Sequence, residues 1–279
     1  MRHLGVSTLT WSTNLAATAS GLLIWSVGRR QPPPGSRATR AFLTTVSLAA
    51  ILLPFASEGV SGVHRWVPAA GVRLHASAMA APVIIFCVAA AAALHRVASA
   101  LAISATAGII LALQPDAAQA TSVAAACAVV IICRRGTMPR RQVMLTVVLL
   151  LAVSAASFIR HDPLPPVAHV EGILTVVASG GIAQTAMATA ALLLLPAPFF
   201  VAWYRHRRSV ALAPGVYVAM TLLAPAWGTF PVPVMGYGVS PILGYFIALV
   251  AGVGGPSRLE ESSQETLSSS PAQRRRHVR

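Results

Sequence analysis

Residues 76–113 read ASAMAAPVIIFCVAAAAALHRVASALAISATAGIILAL, and this stretch decides the fold. It holds two apolar runs, 76–94 and 97–113, interrupted only by His95 and Arg96. The hydrocarbon core of a bilayer takes about 20 apolar residues of helix, with roughly 17 to 25 acceptable. Inside lipid an extended chain would leave its N–H and C=O groups without partners, so such runs must be helical. Two of them separated by two polar residues predict a tight helical hairpin within a membrane.

Outward from this hairpin the pattern repeats. Seven further apolar runs lie at 5–28, 41–57, 118–133, 142–159, 180–204, 210–228 and 239–255. Composition agrees: 56% of the 279 residues are hydrophobic, 10% are charged and the mean hydropathy is +0.70. A soluble domain carries about 25% charged residues. The expected fold is therefore all-α, a polytopic membrane bundle of about nine transmembrane helices over residues 1–255. The first run stops at Arg29-Arg30, as a stop-transfer span does, and does not read as a cleaved leader. Residues 256–279 are Ser-rich and charged, and are expected to form a disordered cytoplasmic tail whose closing RRRHVR rests on anionic lipid.

All 21 basic residues are arginine, and the net charge is +14. They do not form one stripe with interleaved aromatics, so nucleic acid is not an expected partner. Instead they fall in short clusters between apolar runs. Alternate loops hold Arg29, Arg30, Arg37 and Arg40; Arg96; Arg134, Arg135, Arg140 and Arg141; and Arg205, Arg207 and Arg208. The opposite set holds only Arg2, Arg65, Arg73 and Arg160. Such a bias puts the richer set inside. It predicts a multi-pass plasma-membrane protein with its N-terminus outside and its C-terminus cytoplasmic. Cys87, Cys127 and Cys133 lack paired ligand spacing, so neither a disulfide framework nor a zinc site is supported. No cofactor is expected.

With this orientation the polar features collect at the outer face. They are GVHRWVPAAGVRLHAS (62–77), QPDAAQ around Asp116, RHDPLPPVAHVEG (160–172) and FPVPVMGYGVSP (230–241). Glu58, Asp116, Asp162 and Glu171, the acids outside the tail, all lie there or at its membrane boundary. Ionisable groups at membrane level are costly, and a functional site is the default reading. Dense proline and glycine in the same loops suggest ordered, re-entrant backbone, hence an outward-facing cavity for a polar, anionic head group. Arg65 and Arg73 suit phosphate, and equally a seat among lipid phosphates. Trp66 reads as a cavity wall or as an interfacial anchor, and Asp116 as a site residue or a helix cap. Glu171, close behind His169, leads into an apolar segment, where partial desolvation suits a carboxylate to general-base work. A structural acid paired with Arg65 or Arg160 is the plainer alternative.

Taken in order, four segments resemble landmarks of the SEDS proteins (the FtsW/RodA/SpoVE family), polytopic enzymes that polymerise peptidoglycan glycan strands from lipid II. Gly62-Val63-His64-Arg65-Trp66, running on to His75-Ala76-Ser77, resembles the family's G-x-x-R-W segment and Q-P-S-E. Leu113-Gln114-Pro115-Asp116-Ala117-Ala118-Gln119-Ala120 resembles L-Q-P-D-L-G-T-A. His169-Val170-Glu171-Gly172-Ile173-Leu174-Thr175 resembles H-T-D-F-I-F-A. The run from Phe230 through Pro231-Val232-Pro233 to Tyr237-Gly238-Val239-Ser240 resembles L-P-L-P-F-x-S-Y-G-G-S.

The resemblance covers about residues 41–255 and implies a ten-span family fold with its first span dropped. It implies glycosyl transfer from lipid II, or a related polyprenyl-linked sugar, at the outer leaflet, in elongation, division or sporulation. Glu171 would be the catalytic base, Arg65 and Arg73 would steady the pyrophosphate, and Asp116 would orient substrate or those arginines. Trp66 and His169 would belong to the substrate site, with Tyr237 and Gly238 shaping its floor. A class B penicillin-binding protein is the implied partner, beside membrane lipids. There are departures. The family's catalytic Asp is replaced by Glu171, the paired acids after it by Ser179-Gly180, and Y-G-G-S-S by Tyr237-Gly238-Val239-Ser240-Pro241; the loop between Arg141 and His169 is short. A non-catalytic protein of the same fold, holding lipid II or a cell-wall partner, is thus the alternative. A small-molecule transporter is disfavoured, because the span interiors hold essentially no ionisable residues.

Overall fold

A computed structural model describes residues 8–31, 36–69, 71–134, 138–159, 163–206, 209–226, 228, 230–236 and 238–254. Arg160, Asp162, Tyr237 and the tail at 256–279 lie outside the described residues. Each of the nine apolar runs is helical. They form α1 (Thr8–Gly28), α2 (Arg37–Leu52, extended by a 3-10 turn at Leu53–Ala56), α3 (Ala76–Ala93), α4 (Val97–Leu113), α5 (Ala117–Cys133) and α6 (Arg140–Ser157). A short α7 (Ile173–Ser179) precedes α8 (Ile182–Leu194), α9 (Ala197–His206), α10 (Ser209–Leu223, followed by a 3-10 turn at Ala224–Ala226) and α11 (Val239–Val253). Pro196 falls in the break between α8 and α9, where a proline removes a helical hydrogen bond and clashes with the preceding turn.

Among the described residues, three of these are long and apolar enough to cross a membrane: Arg37–Ala56, Ala76–Ala93 and Arg140–Ser157. Ile182–Leu194 and Ala197–Arg205, bent by 40°, make a fourth if they are one broken span. That is fewer than the nine expected. The apolar helices Val97–Leu113, Ala117–Cys133, Val210–Ala226 and Val239–Val253 have 17 residues or fewer, and at 1.5 Å per residue a helix of that length rises about 26 Å, short of the ~30 Å core.

The helix α3 occupies the centre, with every residue except Met79 and Val83 buried. The helices α2, α4, α5, α10 and α11 pack around it. Its alanines let backbones approach closely, which is how helices associate where no hydrophobic effect drives them together. The tightest approach is by α11: a Cβ on Gly244 would overlap the carbonyl of Ala78. At the rim the polarity is inverted relative to a soluble protein. On α6, Met144, Leu145, Val148 and Leu151 are exposed; α8 buries nothing, and Ile182 at its start is 90% exposed. A continuous apolar exterior of this kind marks a surface for lipid or for other apolar chains.

One element departs from the all-α expectation. Residues 66–75 form a β-hairpin, β1 (Trp66–Ala69) against β2 (Val72–His75), with Trp66 opposite His75 and Ala69 opposite Val72. Gly71, immediately before β2, has φ 78°, the left-handed conformation that hairpin connections favour. Pro68 is tolerated because a two-stranded ribbon has free edges. The hairpin closes onto the bundle where His75 N–H donates to Ser240 Oγ on α11 at 2.8 Å.

Candidate functional site

The turns at 94–96 and 114–116 are short, so α3, α4 and α5 run antiparallel. The end of α4 and the start of α5 therefore return to the end of the bundle that carries the hairpin. There the hairpin, the 114–119 segment, the 164–171 loop and the 230–241 loop surround one cavity of about 570 Å³. Arg65, Trp66, Arg73, Asp116, Glu171 and Gly238 all line it. His169 is half-buried in the 167–172 turn and is not among the lining residues. Tyr237, outside the described residues, has no placement.

Arg65 is 6% exposed, and its guanidinium is directed at the backbone. Nε donates to Gln114 O at 3.4 Å, and an Nη donates to Pro115 O. Its Cζ also lies 5.8 Å from the centre of the Trp66 ring. Arg65 thus staples the hairpin to the turn that carries Asp116. Arg73, opposite Pro68 in β2, is exposed and lines the cavity. The two arginines are not equivalent: one builds the wall and the other faces its contents.

Asp116 is 4% exposed and acts as the N-cap of α5, with Oδ1 accepting from Gln119 N–H at 3.3 Å. The other carboxylate oxygen gathers two more groups. Ser77 Oγ donates to Oδ2 at 3.1 Å, and His75 Nε2 lies 3.3 Å from the same oxygen. Ser77 Oγ is also 3.0 Å from His75 Nδ1. Serine, histidine and aspartate together suggest a hydrolase, but Ser77 is 1% exposed and spends its proton on the carboxylate. An activated nucleophile needs its base on the hydroxyl and a path to substrate, so this cluster is structural.

Burial pushes the His75 pKa below its ordinary 6.5; the Asp116 carboxylate opposes this, and the Arg65 guanidinium adds to it. The unfolded chain then takes up a proton at a higher pH than the folded one. Stability from this group is complete above about pH 6.5 and falls as pH drops toward the folded value. The thermal unfolding midpoint in detergent should therefore decrease between pH 7.5 and 5.5, and His75→Asn should flatten that slope. A slope unchanged in the variant would assign it to another group.

Glu171 lines the cavity from a turn that it helps to close. Its Oε2 accepts from Val167 N–H at 2.8 Å, and its own N–H donates to Val167 O at 3.0 Å. No partnership with Arg65 is needed to hold it. Gly236 and Gly238 are each held from α1: Asn14 Nδ2 donates to Gly236 O, and Gly238 N–H donates to Asn14 Oδ1, each at 3.3 Å. Asn14 precedes the region of family resemblance, and nothing in its local sequence marked it. Sequence reasoning also passed over His75, Gln119 and Tyr217 as site residues. Tyr217 OH donates to Gln119 Oε1 at 2.8 Å and both line the cavity, a pairing across 98 positions that no local pattern announces. Among the described residues no group of three His, Cys, Asp or Glu side chains is placed to hold a metal ion.

No protein-family model matches the chain, and no curated protein matches it.

Proposed function

We propose that this chain is a SEDS-like membrane protein whose cavity takes lipid II or a related polyprenyl-linked sugar diphosphate and transfers glycan from it. The observation that carries this reading is the convergence of four sequence-distant loops on one cavity, bringing Arg73 and Glu171 into its lining. A diphosphate leaving group needs fixed positive charge, and Arg73 supplies it with Arg65 behind. An acceptor hydroxyl needs a base within hydrogen-bond reach, and Glu171 is the carboxylate on the wall that is not already bound to a histidine. The apolar exterior and the arginine-rich loops at the far end favour action at the outer leaflet. A class B penicillin-binding protein is the partner the resemblance adds.

A second reading has an observation of its own. Glu171 Oε2 is engaged by a backbone N–H of its own turn, as a structural acid would be, which favours a protein that binds the lipid-linked sugar without turning it over. The two readings part in one assay, glycan-chain formation from labelled lipid II by protein purified with its native membrane partners, class A synthases being blocked. The transferase reading expects polymer from wild type and a loss of about a hundredfold or more in Glu171→Gln, the range of a positioned general base. Equal polymer from both removes Glu171 from the chemistry. Retention of lipid II with no polymer from either leaves the binder.

A further inference from the structure

We infer that the floor of the cavity is a subsite for an uncharged group bearing hydroxyls and an amide, read by Gln119 and Tyr217. This deepens the reading above and rests on it, since it supposes that an anionic ligand enters the same cavity. The two ends of the cavity differ in chemistry. Around the hairpin lie Arg65, Arg73, His75, Asp116 and Glu171. Three residues further along α5 the wall changes character. Gln119 there accepts from Tyr217 OH through Oε1 at 2.8 Å. That bond fixes which end of the amide is used, and it leaves the two N–H donors of Gln119 and a lone pair of the phenol for a ligand. The rest of the floor is Leu195, Val218, Thr221, whose hydroxyl is donated to Val218 O at 2.8 Å, and the ring of Tyr245, whose hydroxyl is donated to Leu195 O at 3.0 Å.

Such a floor disfavours an anion, because its side chains are uncharged, the setting is partly desolvated and the ionised group next along α5 is the Asp116 carboxylate. It accepts a neutral group that offers acceptors to an amide and a face to an aromatic ring, as an N-acetylated sugar does. Three residues of helix rise separate Asp116 from Gln119 by about 4.5 Å. A diphosphate held at the hairpin side would therefore put the group attached to it on the floor. A pocket that hydrogen-bonds its ligand discriminates strongly against an analogue lacking the matching group, because its own polar atoms are then left dry and unpartnered. Gln119 and Tyr217 are thus assigned as specificity residues, not catalytic ones.

The test is calorimetric titration of the full chain in detergent with two short-chain probes, farnesyl diphosphate and N-acetylglucosaminyl-diphosphoryl-farnesol. Wild type should bind the sugar-bearing probe about tenfold more tightly. Gln119→Met, which keeps the volume and removes the donors, should bind the two probes equally while retaining its affinity for farnesyl diphosphate. Tyr217→Phe, which removes a single oxygen, should lose a few-fold of the preference and serves as the decisive variant where Gln119→Met does not fold. Farnesyl diphosphate bound without any sugar advantage in wild type, or an advantage retained in both variants, overturns the subsite alone. Binding of neither probe to wild type overturns the subsite together with the anionic-ligand reading on which it rests.

Discussion

Gly244→Val should destabilise the protein by on the order of 4 kcal/mol, at the upper end of what single substitutions do. The cause is steric and local. A Cβ at 244 would overlap the carbonyl of Ala78, a backbone atom in the first turn of the most buried helix, so no side-chain rotation can relieve it. Helices α11 and α3 would have to separate along their whole contact. Ser240, one turn earlier on α11, would then withdraw from His75 N–H, and the cavity would lose the wall formed by residues 238–241. Thermal unfolding in detergent should show a fall of about 10 °C, taking roughly 2–4 °C per kcal/mol for a chain of this size. Leu145→Val on the exposed face of α6 is the control and should change little. A Gly244→Val protein as stable as wild type would mean that α3 and α11 do not meet as described.

Arg65→Met should cost about 3 kcal/mol, through a different mechanism. Methionine keeps most of the unbranched stem and its packing, so the loss is chiefly polar. The carbonyls of Gln114 and Pro115 lose their donor, and each buried polar group left unsatisfied costs about 1–3 kcal/mol. The contact with the Trp66 ring goes as well, worth roughly 0.5–1 kcal/mol. Arg65→Lys should fall between, since a single ammonium lacks the planar fork that reaches two carbonyls at once. Removing this cation also removes one of the two influences that hold the His75 pKa down. The acid-side loss of stability, which still begins near pH 6.5, should therefore be smaller and end at a higher pH in Arg65→Met than in wild type. Chemical unfolding at pH 7.5 and 5.5 reads both effects, and a variant indistinguishable from wild type at pH 7.5 would refute the staple. Arg73→Ala, exposed in the cavity mouth, carries no comparable structural cost.

These two residues illustrate how unevenly the molecule could be read in advance. Arg65 stood out as a cation beside Trp66 in a membrane-level loop, and was expected to face a phosphate. Its position at the cavity was legible; its engagement with two carbonyls some 50 positions away was not. Asp116 was legible both as a cap and as a site residue, and it is a cap within the cavity wall. Its further contacts with Ser77 and His75 needed the packing of α5 against α3. Gly244 carried no signal at all, because a glycine in an apolar run looks the same whether it faces lipid or another backbone.

What the sequence alone determined is where the helices lie and which loops share an end. Both follow from local physics: apolar runs must satisfy their own backbone in a low-dielectric surrounding, and arginine clusters divide the turns between two faces. Only the tertiary structure decided which helix is central, which arginine is structural and what the cavity floor presents. Apolarity cannot rank helices when inside and outside are equally apolar. The alanine-rich α3 is buried and the leucine-rich α6 exposed because close approach of backbones, set by side-chain volume, takes the place of hydrophobicity as the sorting force.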